Sequence, residues 1–278
     1  MKINLAKSAG FCFGVKRALK IALETATVGK EICMLGDIVH NEDVVKQISK
    51  AGVKKIGRLC QGKEKILLIR AHGASLSTIN KAKKLGYEIV DATCLMVKEI
   101  HKIAQNMEKK GYRIIVIGDK KHDEVMGIVG QLNSKAIVID GLESIPPTIK
   151  KIKKACVVSQ STQNIKKVNQ IVDALKLQIK NLKFFNTICV PTKLKQEEIK
   201  LMPLQNDVMI IIGSRKSANT RRLYEISKSL NQNSYWINSS KEIKRSWFNG
   251  KNSVGVTAGA STPDTTTKKI IEYLRKIG

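Results

Sequence analysis

Short runs of β-branched and other apolar residues alternate along this chain with segments whose apolar positions recur every three or four residues. These are the patterns of buried strands and amphipathic helices. Strand-like runs occupy residues 3–6, 32–35, 66–69, 87–90, 113–117, 136–139, 155–158, 208–212 and 253–256, and the Phe184-Phe185 pair marks another. Helix-like segments cover residues 16–26, 44–52, 81–85, 97–110, 166–177 and 265–277. Two further helices are expected. One follows Pro191, which the first turn of a helix accommodates; the other follows residues 213–220, whose small polar residues leave backbone N–H groups open to an anion. Alternation of the two element types predicts an α/β fold.

The strand ends carry a second pattern. Cys12, Cys94 and Cys189 each close a strand-like run, open a helical one, and divide the 278 residues into near-equal thirds. Each is followed, at offset 24, by a glycine that ends a β-branched run: Gly36, Gly118 and Gly213. Offset 28 gives His40, His122 and Ser217, and offset 4 gives Lys16, Lys98 and Lys193. A third run in each unit ends in small polar residues, at Ala71-His72-Gly73-Ala74-Ser75, Ser159-Gln160-Ser161-Thr162 and Ala258-Gly259-Ala260-Ser261-Thr262. Coincident offsets of this kind mark an internal repeat. The expected organisation is three α/β repeats, residues 1–94, 95–189 and 190–278, as lobes sharing a centre, with the N-terminal strand free to pack elsewhere.

Charge narrows the functional classes. The formal net charge is +27, yet aromatic residues make up only 4% of the chain, which leaves few platforms for stacking bases. With no nucleic-acid-binding motif, the basic surface is read as steering an anionic substrate or an acidic protein partner, and nucleic acid is not expected to bind. No apolar signal segment follows Met1-Lys2-Ile3-Asn4, and no run of eighteen or more uncharged apolar residues occurs. A soluble, cytoplasmic protein is therefore expected, in a compartment where cysteines serve more often as metal ligands or catalysts than in disulfides.

Three cysteines at equivalent points of three units would meet near a pseudo-threefold axis, each thiol beside a helix N-terminus that favours thiolate. Cys33, Cys60 and Cys156 share no repeat position and are read as small buried hydrophobes. A mononuclear zinc site is one reading of the converging three, although no close-spaced C-x-x-C pair is present. A four-iron cluster with one iron left open is another. Around such a centre the strand-end loops would gather His40, His72, His122, Ser217, Asn219, Ser261 and the Gln160-Ser161-Thr162 edge. That ring is rich in donors, suits a diphosphate, and contains Glu124 as the acidic group placed to move a proton. In an extended loop Glu124 would project to the same face as His122; the competing reading makes it a cap of a helix beginning near Val125. A single histidine at a strand end is ordinarily a surface residue, and His101, inside a helix with no repeat partner, is read as structural or surface.

The ordered motifs Gly10-Phe11-Cys12, Val39-His40-Asn41, Ala71-His72-Gly73, Asp91-Ala92-Thr93-Cys94, His122-Asp123-Glu124-Val125-Met126-Gly127, Thr187-Ile188-Cys189, Gly213-Ser214 and Ala258-Gly259-Ala260-Ser261 closely resemble the 4-hydroxy-3-methylbut-2-enyl diphosphate reductase family across nearly the whole chain. The resemblance implies a trefoil of three α/β lobes around one [4Fe-4S] cluster held by Cys12, Cys94 and Cys189. It places substrate binding on His40, His72, His122, Ser161, Thr162, Ser217, Ala218, Asn219 and Ser261, and the proton donor on Glu124. The implied reaction is the two-electron, two-proton removal of a C4 hydroxyl, the last step of non-mevalonate isoprenoid synthesis, giving isopentenyl and dimethylallyl diphosphates. A ferredoxin or flavodoxin is the implied electron donor, and a monomer or weak dimer the expected state. The chain departs from the family pattern at Leu95 and Asp123, where proline is usual, at Asn186 for aspartate and at Ala218 for serine. A zinc or redox-thiol protein, or a basic nucleic-acid-binding protein, are the competing classes.

Overall fold

In the computed structural model, which describes residues 1–277, the apolar runs become strands and the period-3.6 segments helices. In order these are β1 (Lys2–Leu5), α1 (Phe13–Ala26), β2 (Glu31–Leu35), α2 (Glu42–Lys50), β3 (Val53–Ile56), β4 (Lys65–Ile69), α3 (Leu76–Lys84), β5 (Glu88–Asp91), α4 (Leu95–Lys109) and β6 (Arg113–Ile117). There follow α5 (Asp123–Val129), β7 (Ile137–Ile139), β8 (Lys154–Ser159), α6 (Ile165–Lys176), β9 (Asn181–Phe184), α7 (Val190–Gln205), β10 (Val208–Ile212), α8 (Ala218–Leu230), β11 (Ser234–Ile237), β12 (Ser253–Ala258) and α9 (Asp264–Ile277).

Three four-stranded sheets share one order: β3-β2-β4-β5, β7-β6-β8-β9 and β11-β10-β12-β1. Every pairing is parallel, as helical crossovers between successive strands require. The strand whose following loop leads to a repeat cysteine occupies the same edge in each sheet. In the last sheet that strand is β1, whose Ile3 pairs with Val254, so the N-terminal strand completes the C-terminal repeat.

Central strands are apolar on both sides because both sides are covered. Ile115 and Ile117 of β6 enter a core with Val168, Ile171 and Leu175 of α6. Their neighbours Ile114 and Val116 enter a second core with Ile100 and Ala104 of α4 and Val125 of α5. β10 does the same, sending Ile210 and Ile212 toward Ile270 and Leu274 of α9 and Met209 and Ile211 toward Ile199 of α7 and Leu223 of α8. Each such isoleucine contributes roughly 1.5–3 kcal/mol of burial.

The chain forms two compact units. A terminal unit contains Met1–Lys16, His40–Val45 and the chain from Val190 onward; an internal unit contains Arg17–Val39 and Lys46–Cys189. The internal unit holds the first two sheets, joined where α5 meets the segment between β4 and α3. There Gln131 Nε2 donates to the Ala74 carbonyl at 2.6 Å, Leu76 N–H to Gly130 O at 2.9 Å, and Arg70 Nη1 lies 2.7 Å from Asp123 Oδ2.

His101, on α4, is buried and supports this same segment. A Cβ at Gly73 would fall 2.8 Å from the His101 ring, and Gly73 also has φ +79°, so no side chain fits there. Burial pushes the His101 pKa down to about 4. The unfolded imidazole protonates near 6.5, so between these values the unfolded state binds the extra proton. Stability is therefore lost as pH falls from about 6.5 toward 4, by up to about 3 kcal/mol. Denaturant midpoints at pH 7 and pH 4.5 should show a smaller acid-side loss in His101→Met than in the parent; equal losses would place the titration elsewhere.

Candidate active site

The three repeat cysteines occupy one backbone setting. Cys12 N–H donates to Ala260 O at 3.1 Å, Cys94 N–H to Ala71 O at 3.0 Å and Cys189 N–H to Ser161 O at 3.0 Å. Each acceptor lies two residues past the end of the neighbouring strand, β12, β4 or β8. All three thiols are half-buried and free of disulfides. Cys33 and Cys156 are buried instead, and burial pushes both thiols up, Cys156 to about 12, which disfavours the thiolate that binds metal. Cys60 is exposed, contrary to the expectation of a buried hydrophobe, because it lies in the loop between β3 and β4.

In the internal unit the rings of His72 and His122 meet edge to face, with centroids 5.5 Å apart at 84°. His122 is the N-cap of α5, its Nδ1 accepting the Glu124 N–H at 3.2 Å. The extended-loop geometry expected for this pair is therefore replaced by a helix start. Glu124 sits in the first turn, where the helix dipole favours an acid, and turns inward to 2% exposure. There its carboxyl accepts Ser161 N–H at 2.5 Å and Ser161 Oγ–H at 2.8 Å. Gln160 steadies the same edge, donating to Thr162 Oγ1 at 3.1 Å and accepting the Asp119 N–H at 3.0 Å.

In the terminal unit the His40 carbonyl accepts Ser261 Oγ–H at 3.2 Å. His40 is not a cap: Asn41 Oδ1 accepts the Asp43 and Val44 N–H groups at 3.0 and 3.2 Å. The shared offset of 28 thus conceals a one-residue shift in role, since His122 and Ser217 both cap helices. Ser217 Oγ accepts Thr220 N–H at 3.2 Å, so α8 begins inside the stretch expected to be a loop, with Ala218 and Asn219 as its first residues. Among the described residues Asn219 Nδ2 is buried and has no hydrogen-bond partner. The internal unit offers two imidazoles, hydroxyls and a buried carboxyl, and the terminal unit an imidazole, an amide and hydroxyls, groups of the kind that hold an oxyanion.

Sequence reading missed Arg70. Its pair with Asp123, each side chain 20% exposed, joins the residue two before His72 to the one between His122 and Glu124, at a position where the resembled family has proline. The only signal was that departure. Asp123→Ala should cost about 1–2 kcal/mol in denaturant unfolding by leaving the partly buried guanidinium unpaired; an unchanged midpoint would show the pair to be passive.

The protein-family model described as LytB protein matches residues 3–275. The chain belongs to the LytB protein family. Among LytB relatives, 4-hydroxy-3-methylbut-2-enyl diphosphate reductase of Geotalea daltonii is 38% identical over 278 residues, spanning 100% of this chain and 98% of its own length. The enzyme of the same name from Aquifex aeolicus is 39% identical over 283 residues, spanning 99% and 96%. A solved structure of (E)-4-hydroxy-3-methyl-but-2-enyl diphosphate reductase, the terminal enzyme of the non-mevalonate pathway, matches with a TM-score of 0.73 and 38% identity, over 99% of this chain and 100% of that one. The E-1-hydroxy-2-methyl-but-2-enyl-4-diphosphate reductase of Plasmodium falciparum matches with a TM-score of 0.91 and 28% identity, over 98% and 87%. The three-sheet α/β class expected from the repeat is thus the LytB fold, and LytB membership fits the reductase reading rather than a zinc, redox-thiol or nucleic-acid protein.

Proposed function

We propose that this chain is a 4-hydroxy-3-methylbut-2-enyl diphosphate reductase that binds one [4Fe-4S] cluster through Cys12, Cys94 and Cys189. The observation that carries the reading is the recurrence of one half-buried thiol in the same hydrogen-bonded backbone setting at the edge of all three sheets. The donor set fits, since iron–sulfur clusters take cysteine thiolates, and the remaining cysteines are either held in apolar cores or, at Cys60, exposed with no repeat partner. When bound, such a cluster would supply one electron at a time, two in all, which with two protons balance the loss of the hydroxyl as water.

The chain's own residues do the rest. His40, His72, His122, Ser217, Asn219 and Ser261, with Thr162, Ser161 and the Ala218 backbone, hold the diphosphate through charge-assisted hydrogen bonds. The unpartnered Asn219 amide supports that role. Glu124, kept in one orientation by Ser161, moves the proton to or from substrate at its carboxyl oxygens. Among the described residues no helix is long and apolar enough to cross a membrane. A ferredoxin or flavodoxin would deliver electrons at the basic surface of this cytoplasmic monomer or weak dimer.

Anaerobic purification tests the reading. The expected product is a brown protein with about four irons and four sulfides per chain that converts 4-hydroxy-3-methylbut-2-enyl diphosphate to isopentenyl and dimethylallyl diphosphates under strong reductant. A colourless zinc protein without turnover would overturn it. His40→Asn and His122→Asn should keep full iron and sulfide while raising KM or lowering kcat; loss of iron in either would make that histidine a ligand.

A further inference from the structure

α7 starts at the residue after Cys189 and sends two side chains back to the loop that ends in Cys12. Lys195 is buried to 2% exposure, and its ammonium donates to the carbonyl of Ser8, to Gly10 O at 3.1 Å and to Ala258 O at 3.0 Å. One turn further on, Glu198 accepts the Lys7 and Ser8 N–H groups at 2.9 and 3.0 Å and the Ser8 hydroxyl. The loop between these grips has no slack at Gly10. Its φ is +91°, and a Cβ there would lie 2.5 Å from Asp264 Oδ1. Beyond it the Cys12 N–H is already engaged by Ala260 O.

A buried ammonium is costly unless its protons are satisfied, and here three carbonyls from two separate segments meet it. For stability alone a leucine or methionine would serve a helix face at least as well. What the ammonium adds is a fixed distance between α7, the end of β12 and the loop ahead of Cys12. We infer that Lys195, with Glu198, is a positioning residue that sets the Cys12 thiol for metal. The inference rests on the cluster reading above. The ammonium, hydrogen-bonded to Gly10 O two residues ahead of Cys12, would also favour the more negative, reduced state of a bound cluster.

The test compares full-length Lys195→Met, Glu198→Gln and, as a control, Lys200→Met, an exposed lysine on the same helix, each reconstituted anaerobically with iron and sulfide. Lys195→Met should lose its visible absorption in air roughly tenfold faster than the parent, with an altered EPR spectrum when reduced and a more negative midpoint potential. Glu198→Gln should shift lifetime and spectrum the same way by less, and Lys200→Met should match the parent. A purely structural lysine would lower the unfolding temperature of the cluster-free chain without changing the EPR spectrum or the cluster lifetime. That result in Lys195→Met overturns the inference. Should Lys195→Met not fold, Glu198→Gln decides on the same readouts, and parent-like values there overturn it. A parent protein that takes up no iron and sulfide fails the cluster reading itself, and the inference falls with it.

Discussion

Cys94→Ser is expected to give a folded protein that retains less than a tenth of the parent's iron and sulfide and has no measurable reductase activity. Fold and ligation separate cleanly at this residue. Cys94 is the N-cap of α4 yet makes no side-chain cap bond, and serine is among the best N-caps. The replacement should therefore leave α4 unharmed or slightly steadier, while its N–H still reaches Ala71 O. What disappears is the sulfur, which a serine hydroxyl does not replace as a ligand. Cys156→Ser provides the contrast. That thiol is fully buried between β8 and α4, so an unpaired hydroxyl there should cost roughly 1–3 kcal/mol and leave the visible spectrum unchanged. Iron analysis, absorption and thermal unfolding on both variants give opposite patterns. A Cys94→Ser protein that keeps its colour, or a Cys156→Ser protein that loses it, would refute the threefold ligand set.

How much of this was legible in the sequence depends on the kind of signal. The repeat was legible because strand ends, glycines and cysteines recur at fixed offsets, and those offsets map onto equivalent hydrogen bonds in three sheets. β3 and β11 were not. Both lie at sheet edges; β3 reads Val53-Lys54-Lys55-Ile56 with two exposed lysines, so no apolar run announces it, and β11 is only four residues long, Ser234-Tyr235-Trp236-Ile237. The start of α3 was placed late although Ser75, whose Oγ accepts Thr78 N–H, was an available cap signal. The same oversight put Glu124 in an extended loop, because histidine is not a usual cap residue. Lys195 is the strongest case. Nothing in the sequence marks it, and only the folded chain brings carbonyls from residues 8, 10 and 258 to that ammonium.

Glu124→Gln is expected to fold, to keep its iron and sulfide and to bind the diphosphate, yet to turn over about 10²-fold or more slowly. The structure indicates why the variant should survive. The glutamine amide has the same shape, its oxygen can still accept Ser161 N–H, and the Ser161 hydroxyl, which donates to the carboxyl in the parent, can rotate to accept from the new NH₂ group. The remaining cost is the lost charge in the first turn of α5, about 0.3–1 kcal/mol, too little to unfold the lobe. The chemical loss is larger because an amide neither takes up nor releases a proton near neutral pH. Ser161→Ala separates orientation from proton movement: it removes the 2.8 Å hydroxyl contact and leaves the 2.5 Å backbone contact, so it should lower turnover far less than Glu124→Gln. Turnover under strong reductant, at matched cluster content, measures both. Near-normal turnover in Glu124→Gln would remove this carboxyl from the reaction and leave it as a buried bond between α5 and the end of β8.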